Sequence, residues 1–326
     1  MAFIRRRRPW QSADLRETPE AQFNEWSQLS RRGMLQALLA GGAAAIGVRL
    51  VGGADALAFV QSKKKKEAGS EFFPAKRNEE FKLDRPLTDE MAAARYNNFY
   101  EFSKEKRVAG LVKDWDIGGW KLEVSGLVEK PTTFDMDELG KQFPYEERLY
   151  RHRCVETWAM AVPWTGFPIK KLLDHVRPRA SAKFVKFVSF DHTKVKGTRR
   201  GTKTEPFPYT EGLTIAEAAN DVAMIVTGIY GHPLPKQHGA PVRMVVPWKY
   251  GFKSAKSLVK IELVATRPVT FWPAAIPAEY DFLANVDPTT PHPRWSQATE
   301  WDIGTKARRP TLPFNGYGEW VASLYS

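Results

Sequence analysis

Apolar and polar residues alternate along Trp120-Lys121-Leu122-Glu123-Val124-Ser125-Gly126, the period-two pattern of a half-buried strand. The same reading predicts strands over Phe184 to Phe190, Ala223 to Thr227, Val242 to Val246 and Leu258 to Leu263. Helical signals fall in three places. Thr88 can cap a helix through Met91 to Phe102, Asp135 starts a short helix through Leu139, and Pro168 precedes one over Ile169 to His175. Connections rich in Pro and Gly, such as Gly231-His232-Pro233-Leu234-Pro235, separate these elements. Strands and short helices mix without a regular βαβ rhythm, so the expected class is α+β, with mixed sheets in a single catalytic domain. No G-x-G-x-x-G follows a strand and no G-x-x-x-x-G-K-[ST] occurs, which argues against dinucleotide and P-loop nucleotide binding.

The first sixty residues break this pattern. A basic run, Arg5 to Arg8, and a polar stretch lead to Ser30-Arg31-Arg32-Gly33-Met34-Leu35-Gln36 and then to the small, apolar run Ala37 to Val48. Ala56-Leu57-Ala58 offers the A-x-A pattern of a signal peptidase site. Paired arginines before a weakly hydrophobic, Gly/Ala-rich run look like a twin-arginine (Tat) export signal, with Met34 and Gln36 in place of the usual Phe and Lys. The alternative is one anchoring helix, but Arg49 interrupts the apolar run well short of the ~20 residues a span needs. The expected organisation is therefore a cleaved Tat signal over 1–58, a charged spacer over 59–80 that includes Lys63 to Lys66, and a catalytic domain over 81–326. Such a product is periplasmic, exported already folded.

Charge and cysteine usage sharpen the picture. The chain has 326 residues with 49 Lys and Arg against 37 Asp and Glu, a formal charge of +12. Loss of residues 1–58 would remove 8 basic and 5 acidic residues, leaving 41 against 32, or +9. No nucleic-acid-binding module is recognisable, so this charge is not read as a nucleic-acid footprint. The one cysteine rules out intramolecular disulfides, multi-cysteine zinc sites and iron–sulfur clusters held by this chain alone.

That cysteine sits in Tyr150-Arg151-His152-Arg153-Cys154-Val155-Glu156-Thr157-Trp158. If the segment is extended, His152 and Glu156 share the face of Cys154. A thiolate there could attack substrate or bind a soft metal; equally, the cysteine could be a small buried hydrophobe. The six histidines show neither H-x-x-x-H nor H-E-x-x-H spacing. Lys194 to Lys203 reads as a solvated basic loop. The stretch Gly239 to Ser257 runs from a strand ending in Pro247-Trp248 into a turn carrying Lys249, Lys253 and Lys256, a composition suited either to an anionic group such as phosphate or to a basic surface turn.

Taken together, the export signal, Asn97-Asn98-Phe99-Tyr100-Glu101-Phe102, Arg153-Cys154-Val155-Glu156-Thr157-Trp158 and Gly239 through Lys256 resemble the catalytic subunits of periplasmic protein-methionine-sulfoxide reductases, molybdopterin proteins of the sulfite-oxidase fold. The resemblance implies a sulfite-oxidase-type fold and one Mo–molybdopterin per chain, with Cys154 as the protein's ligand to the metal. It implies cofactor contacts from Asn97, Tyr100 and Glu101 on the N-terminal helix. Further contacts fall on Ser189 (where the family places Thr), His238 (where relatives carry Asn), Arg243, and Ser254, Ala255 and Lys256, with Lys253 nearby. It also implies reduction of methionine sulfoxide in oxidised periplasmic proteins, fed by quinol through a membrane haem-b subunit. The chain has no C-x-x-C-H haem attachment of its own. The competing expectations are sulfite oxidation on the same fold and a cofactor-free periplasmic binding protein.

Overall fold

The alternation read along residues 120–126 and 184–190 is realised as two strands whose buried and exposed positions trade places residue by residue. A computed structural model describes residues 70–199, 201 and 204–326. The expected export signal, the spacer as far as residue 69, and Arg200, Thr202 and Lys203 of the basic loop lie outside the described residues.

In chain order the strands are β1 (Lys76–Arg77), β2 (Lys121–Gly126), β3 (Thr132–Asp135), β4 (Glu146–Arg153) and β5 (Trp158–Pro168). They continue with β6 (Phe184–Ser189), β7 (Thr210–Thr214), β8 (Met224–Ile229) and β9 (His232–Pro233). The last are β10 (Arg243–Val245), β11 (Leu258–Val264), β12 (Thr299–Asp302) and β13 (Arg308–Pro310). One five-stranded sheet has the order β3-β2-β11-β6-β7, with β2 and β11 parallel and the other pairs antiparallel. An eight-stranded sheet is built around β5, which pairs with β4 along one edge and with both β8 and β12 along the other. All eleven residues of β5 are buried, as expected for a strand covered on both faces and paired on both edges. No described helix is long and apolar enough to cross a membrane. This is an α+β fold.

Three longer helices punctuate the sheets: α1 (Glu90–Arg95), α2 (Met136–Gln142) and α3 (Ile169–Val176). Asp135 caps α2 in a reciprocal capping box with Glu138, and the helix runs to Gln142 rather than stopping at Leu139. The helix expected over 91–102 is cut short. Its cap is Asp89, which accepts from the Ala92 N–H at 2.9 Å, while Thr88 instead accepts from the Ala161 N–H and turns toward Asp302. At the other end the Asn97 side chain donates to the carbonyls of Ala93 and Ala94 and so closes the helix. The apolar spacing of Phe99 and Phe102 mimics a helix, yet both rings sit in a turn. They are buried with Val108, Val112, Trp115 and Phe190 in a small core of their own. That packing pins the 97–102 loop.

Eight of the thirteen strands among the described residues went unread in the sequence, β4 and β5 the longest of them. Charged residues fill β4, and they are accommodated by partners distant in the chain. Arg153 and Arg85 flank the buried carboxylate of Glu300 on β12. Burying these ionised groups without such partners would be costly.

Candidate active site around Cys154

The β4–β5 hairpin ends in a tight turn that carries the thiol. Arg153 and Ala159 are the last ladder pair, the Cys154 N–H donates to the Trp158 carbonyl at 2.9 Å, and Thr157 takes a left-handed φ of 71°. Glu156 therefore reaches the thiol through a turn, not through the strand alternation expected from the sequence. Its backbone N–H lies 3.4 Å from Cys154 Sγ and its carboxylate 3.6 Å away. Asn98 Nδ2 approaches the same sulfur at 3.4 Å and donates to Glu156 Oε2 at 3.1 Å. Lys106 bridges the Asn98 side-chain oxygen and the Glu156 carboxylate, and the Trp158 indole N–H points at that carboxylate too. Burial and the neighbouring Glu156 push the Cys154 thiol up to about 12, whereas Lys106 holds the Glu156 carboxyl below its ordinary value despite burial.

A second group of side chains abuts this one. Asn98 joins them, because its carbonyl accepts from Lys256 Nζ at 2.9 Å. Lys256 also donates to the Gln237 carbonyl, and Arg243 donates to the next carbonyl, His238, and to that of Ser254. Ser189 donates to the Lys256 carbonyl, Ser254 accepts from the Val246 N–H, and Ala255 accepts from the Met244 N–H. Ser189, His238, Arg243, Ser254, Ala255 and Lys256 thus form one cluster.

The other expected contacts take separate positions around it, Tyr100 in the field of Glu156 and Cys154 and Glu101 in that of Lys256. Asn97 spends its amide on α1, and it is Asn98 that faces the thiol. Tyr100 sets its ring edge-on to Trp272 at 4.9 Å. Glu101 is buried, and burial raises its carboxyl to about 7 even though Lys256 and Arg199 pull it down. None of the three lies on a helix. Lys253 turns away into a buried ion pair with Glu211 at 2.6 Å, and Lys249 pairs with Glu217 at 2.5 Å. Of the three lysines in the basic turn only Lys256 faces the cluster.

The electrostatics select the kind of guest. Arg243 and Lys256 have no carboxylate ion-pair partner among the described residues. Burial lowers Arg243 to about 9, and burial plus the Arg243 charge drives Lys256 well down. His152 is lowered to about 3 and His238 falls far below its usual value, by burial first and then by these cations. Polar atoms are left over: His238 Nδ1, Gln237 Oε1 and Trp164 Nε1 are buried without a hydrogen-bond partner. Two glycines keep the lining thin, since a Cβ on Gly251 would lie 2.5 Å from His152 Nε2 and one on Gly239 2.6 Å from the Lys256 side chain. Buried basic side chains, an unsatisfied indole donor and an unsatisfied amide acceptor together fit a polyfunctional anion such as a pterin phosphate. Among the described residues no three His, Cys, Asp or Glu side chains converge as a metal cage. A metal at Cys154 would take one soft donor from the protein and the others from a non-protein group.

Sequence reasoning missed Lys106, and it quoted Asn98 without assigning it a role. The signal for Asn98 was adjacency to Asn97; nothing in the pattern marks Lys106.

Comparisons with known proteins agree with this architecture. Residues 109–272 match the oxidoreductase molybdopterin binding domain. The chain is 48% identical over 241 residues to the protein-methionine-sulfoxide reductase catalytic subunit MsrP of Campylobacter jejuni, covering 73% of this chain and 81% of the relative. It is 44% identical over 317 residues to the MsrP of Burkholderia mallei, covering 94% and 91%. Among solved structures, the sulfane dehydrogenase SoxCD from Paracoccus pantotrophus gives a TM-score of 0.41 at 16% identity, over 56% of this chain and 54% of that one. That likeness is too slight to bear on the fold or the reaction. Fold, site and matched domain define an oxidoreductase with a molybdopterin binding domain. Within that class, the chain belongs to the family of MsrP catalytic subunits.

Proposed function

We propose that the chain reduces methionine sulfoxide in oxidised proteins, using one molybdenum–molybdopterin per chain attached through Cys154. The observation that carries this reading is that Asn98 links the buried Cys154 thiol to Lys256, which with Arg243 is buried without a carboxylate ion-pair partner among the described residues. A molybdenum–molybdopterin centre supplies two-electron oxygen-atom transfer, so that a sulfoxide, two electrons and two protons give a thioether and water. Cys154 would hold the metal as thiolate, since burial keeps the free thiol protonated and a bound metal would take the proton's place. Arg243 and Lys256 would hold the phosphate, while Asn98 contacts the sulfur and Lys106 neutralises Glu156 beside it. The substrate assignment is supported by the MsrP relatives, and repair returns a polar, oxidised side chain to its apolar form.

The cellular setting follows the leader sequence. Arg31-Arg32 before an apolar Gly/Ala run supports Tat export to the periplasm, and electrons would come from quinol through a membrane haem-b subunit. A mature charge of +9, by the count above, would favour encounters with anionic membrane surfaces.

The test combines elemental analysis with an assay on oxidised protein and a chemical electron donor. Wild-type protein exported from a molybdopterin-competent cell should carry one Mo and reduce sulfoxide; Cys154→Ser should lose turnover and metal. Full Mo in that variant, or oxidation of sulfite with no activity on sulfoxide, would overturn the proposal.

A further inference from the structure

The turn that presents Cys154 is held from outside by a segment far along the chain. Trp295 Nε1 and Gln297 Nε2 both donate to the Val155 carbonyl at 2.8 Å. Gln297 Oε1 accepts from Arg153 NH2 at 2.8 Å, and Thr311 Oγ1 accepts from the same nitrogen at 3.2 Å. Arg153, with no exposed surface, donates through NH1 to the Cys154 carbonyl, and its Nε faces Glu300 at 3.3 Å. The Thr157 carbonyl accepts from the Trp301 N–H. Three successive features are thus tied down: the carbonyl of the thiol residue, the carbonyl after it, and the residue at positive φ. Arg153 holds the first of these, and the partners of the other two and of Arg153 itself span 295–311, outside the 109–272 stretch that matches the molybdopterin binding domain. The turn's internal bonds, Cys154 N–H to Trp158 and Thr157 N–H to Cys154, would close a hairpin without this help. The additional ties restrain the peptide plane that follows Cys154 and the next one, whose Glu156 N–H lies 3.4 Å from Sγ.

We infer that residues 295–311 act as a clamp on the Cys154 turn, with Gln297 as the positioning residue that couples Val155 to Arg153 and thereby sets the sulfur's orientation toward the metal. The inference rests on the reading of Cys154 as metal ligand. It makes Gln297 functional without contact to cofactor or substrate. The guanidinium of Arg153 also places a fixed positive charge beside a sulfur that must become anionic.

Gln297→Leu in the holoenzyme removes both amide bonds at similar volume. Trp295→Phe is the milder partner, since it removes the indole N–H but leaves a smaller aromatic ring beside His292, against which the indole stacks at 3.8 Å. The expected result has three parts: retained Mo and thermal midpoint in Trp295→Phe; a changed molybdenum paramagnetic resonance spectrum and thiolate-to-metal absorption in both variants; and kcat reduced about tenfold in Gln297→Leu with KM within about twofold. Should Gln297→Leu fail to fold, the spectrum of Trp295→Phe decides alone. Cys154→Ser runs in parallel. If it leaves the wild-type spectrum unaltered, the ligand reading fails and the clamp with it. If it changes the spectrum while Trp295→Phe and any folded Gln297→Leu keep wild-type spectra and kcat, the clamp alone is wrong.

Discussion

Glu101 shows how one residue can be placed by sequence and yet take its chemistry from its surroundings. Its position in the Asn97–Phe102 motif marked it, but its carboxyl is buried and raised to about 7 from 4.5. The sign follows from proton counting. Between pH 4.5 and 7 the folded chain keeps a proton that the unfolded chain releases, so this group's contribution to stability is full below 4.5 and lost as pH rises through 7. Thermal unfolding of wild type and Glu101→Gln across that range should therefore diverge, with wild type losing ground toward neutral pH; parallel curves would refute the raised carboxyl. The Asn97–Asn98 pair shows the limit of reading at this scale. Two identical amides stand side by side, one closing a helix and the other facing the thiol. Composition cannot separate them, because the difference lies in where α1 stops.

The β4–β5 hairpin was the least legible element. A strand reading expects alternation, but every residue of β5 is buried, and β4 carries Glu146, Glu147, Arg148, Arg151 and Arg153. Those charges look solvated until the fold brings Glu300 to Arg153 and Arg77 to Glu147. By contrast β2, β6 and β11 have one half-exposed face, and their alternation survives in the sequence. β5 also makes a bulge at Thr165/Gly166 where it crosses β8, and a Cβ on Gly166 would run into the Ile225 carbonyl. Gly166→Ala should cost roughly 1–3 kcal/mol by overpacking. Denaturant unfolding would check it, and a midpoint equal to wild type would show that the two strands can part there.

At the scale of the whole molecule, the chain is closed by its last residues. Tyr325 donates to Glu217 at 2.6 Å and accepts from the Trp248 indole N–H at 2.8 Å, beside the buried Lys249–Glu217 pair. Tyr325→Phe would leave a buried donor unsatisfied and should cost about 1–3 kcal/mol, read as a lower urea midpoint at unchanged slope. An unchanged midpoint would mean that water replaces the hydroxyl. This closure uses the same turn whose three lysines suggested an anion site, and it neutralises Lys249, while Glu211 neutralises Lys253. By itself the sequence determined the α+β class, the half-exposed strands, Cys154 as the singular thiol, and Arg243 and Lys256 as cations of the same stretch. Those features are local: period, composition and motif are written in contiguous residues. Tertiary structure decided which Asn meets the sulfur, which lysine stays unpaired, and which distant residues hold the thiol's turn. Each of those is settled by a partner roughly 30 to 160 positions away, and only packing, with its penalty on unpaired buried charge, selects such partners.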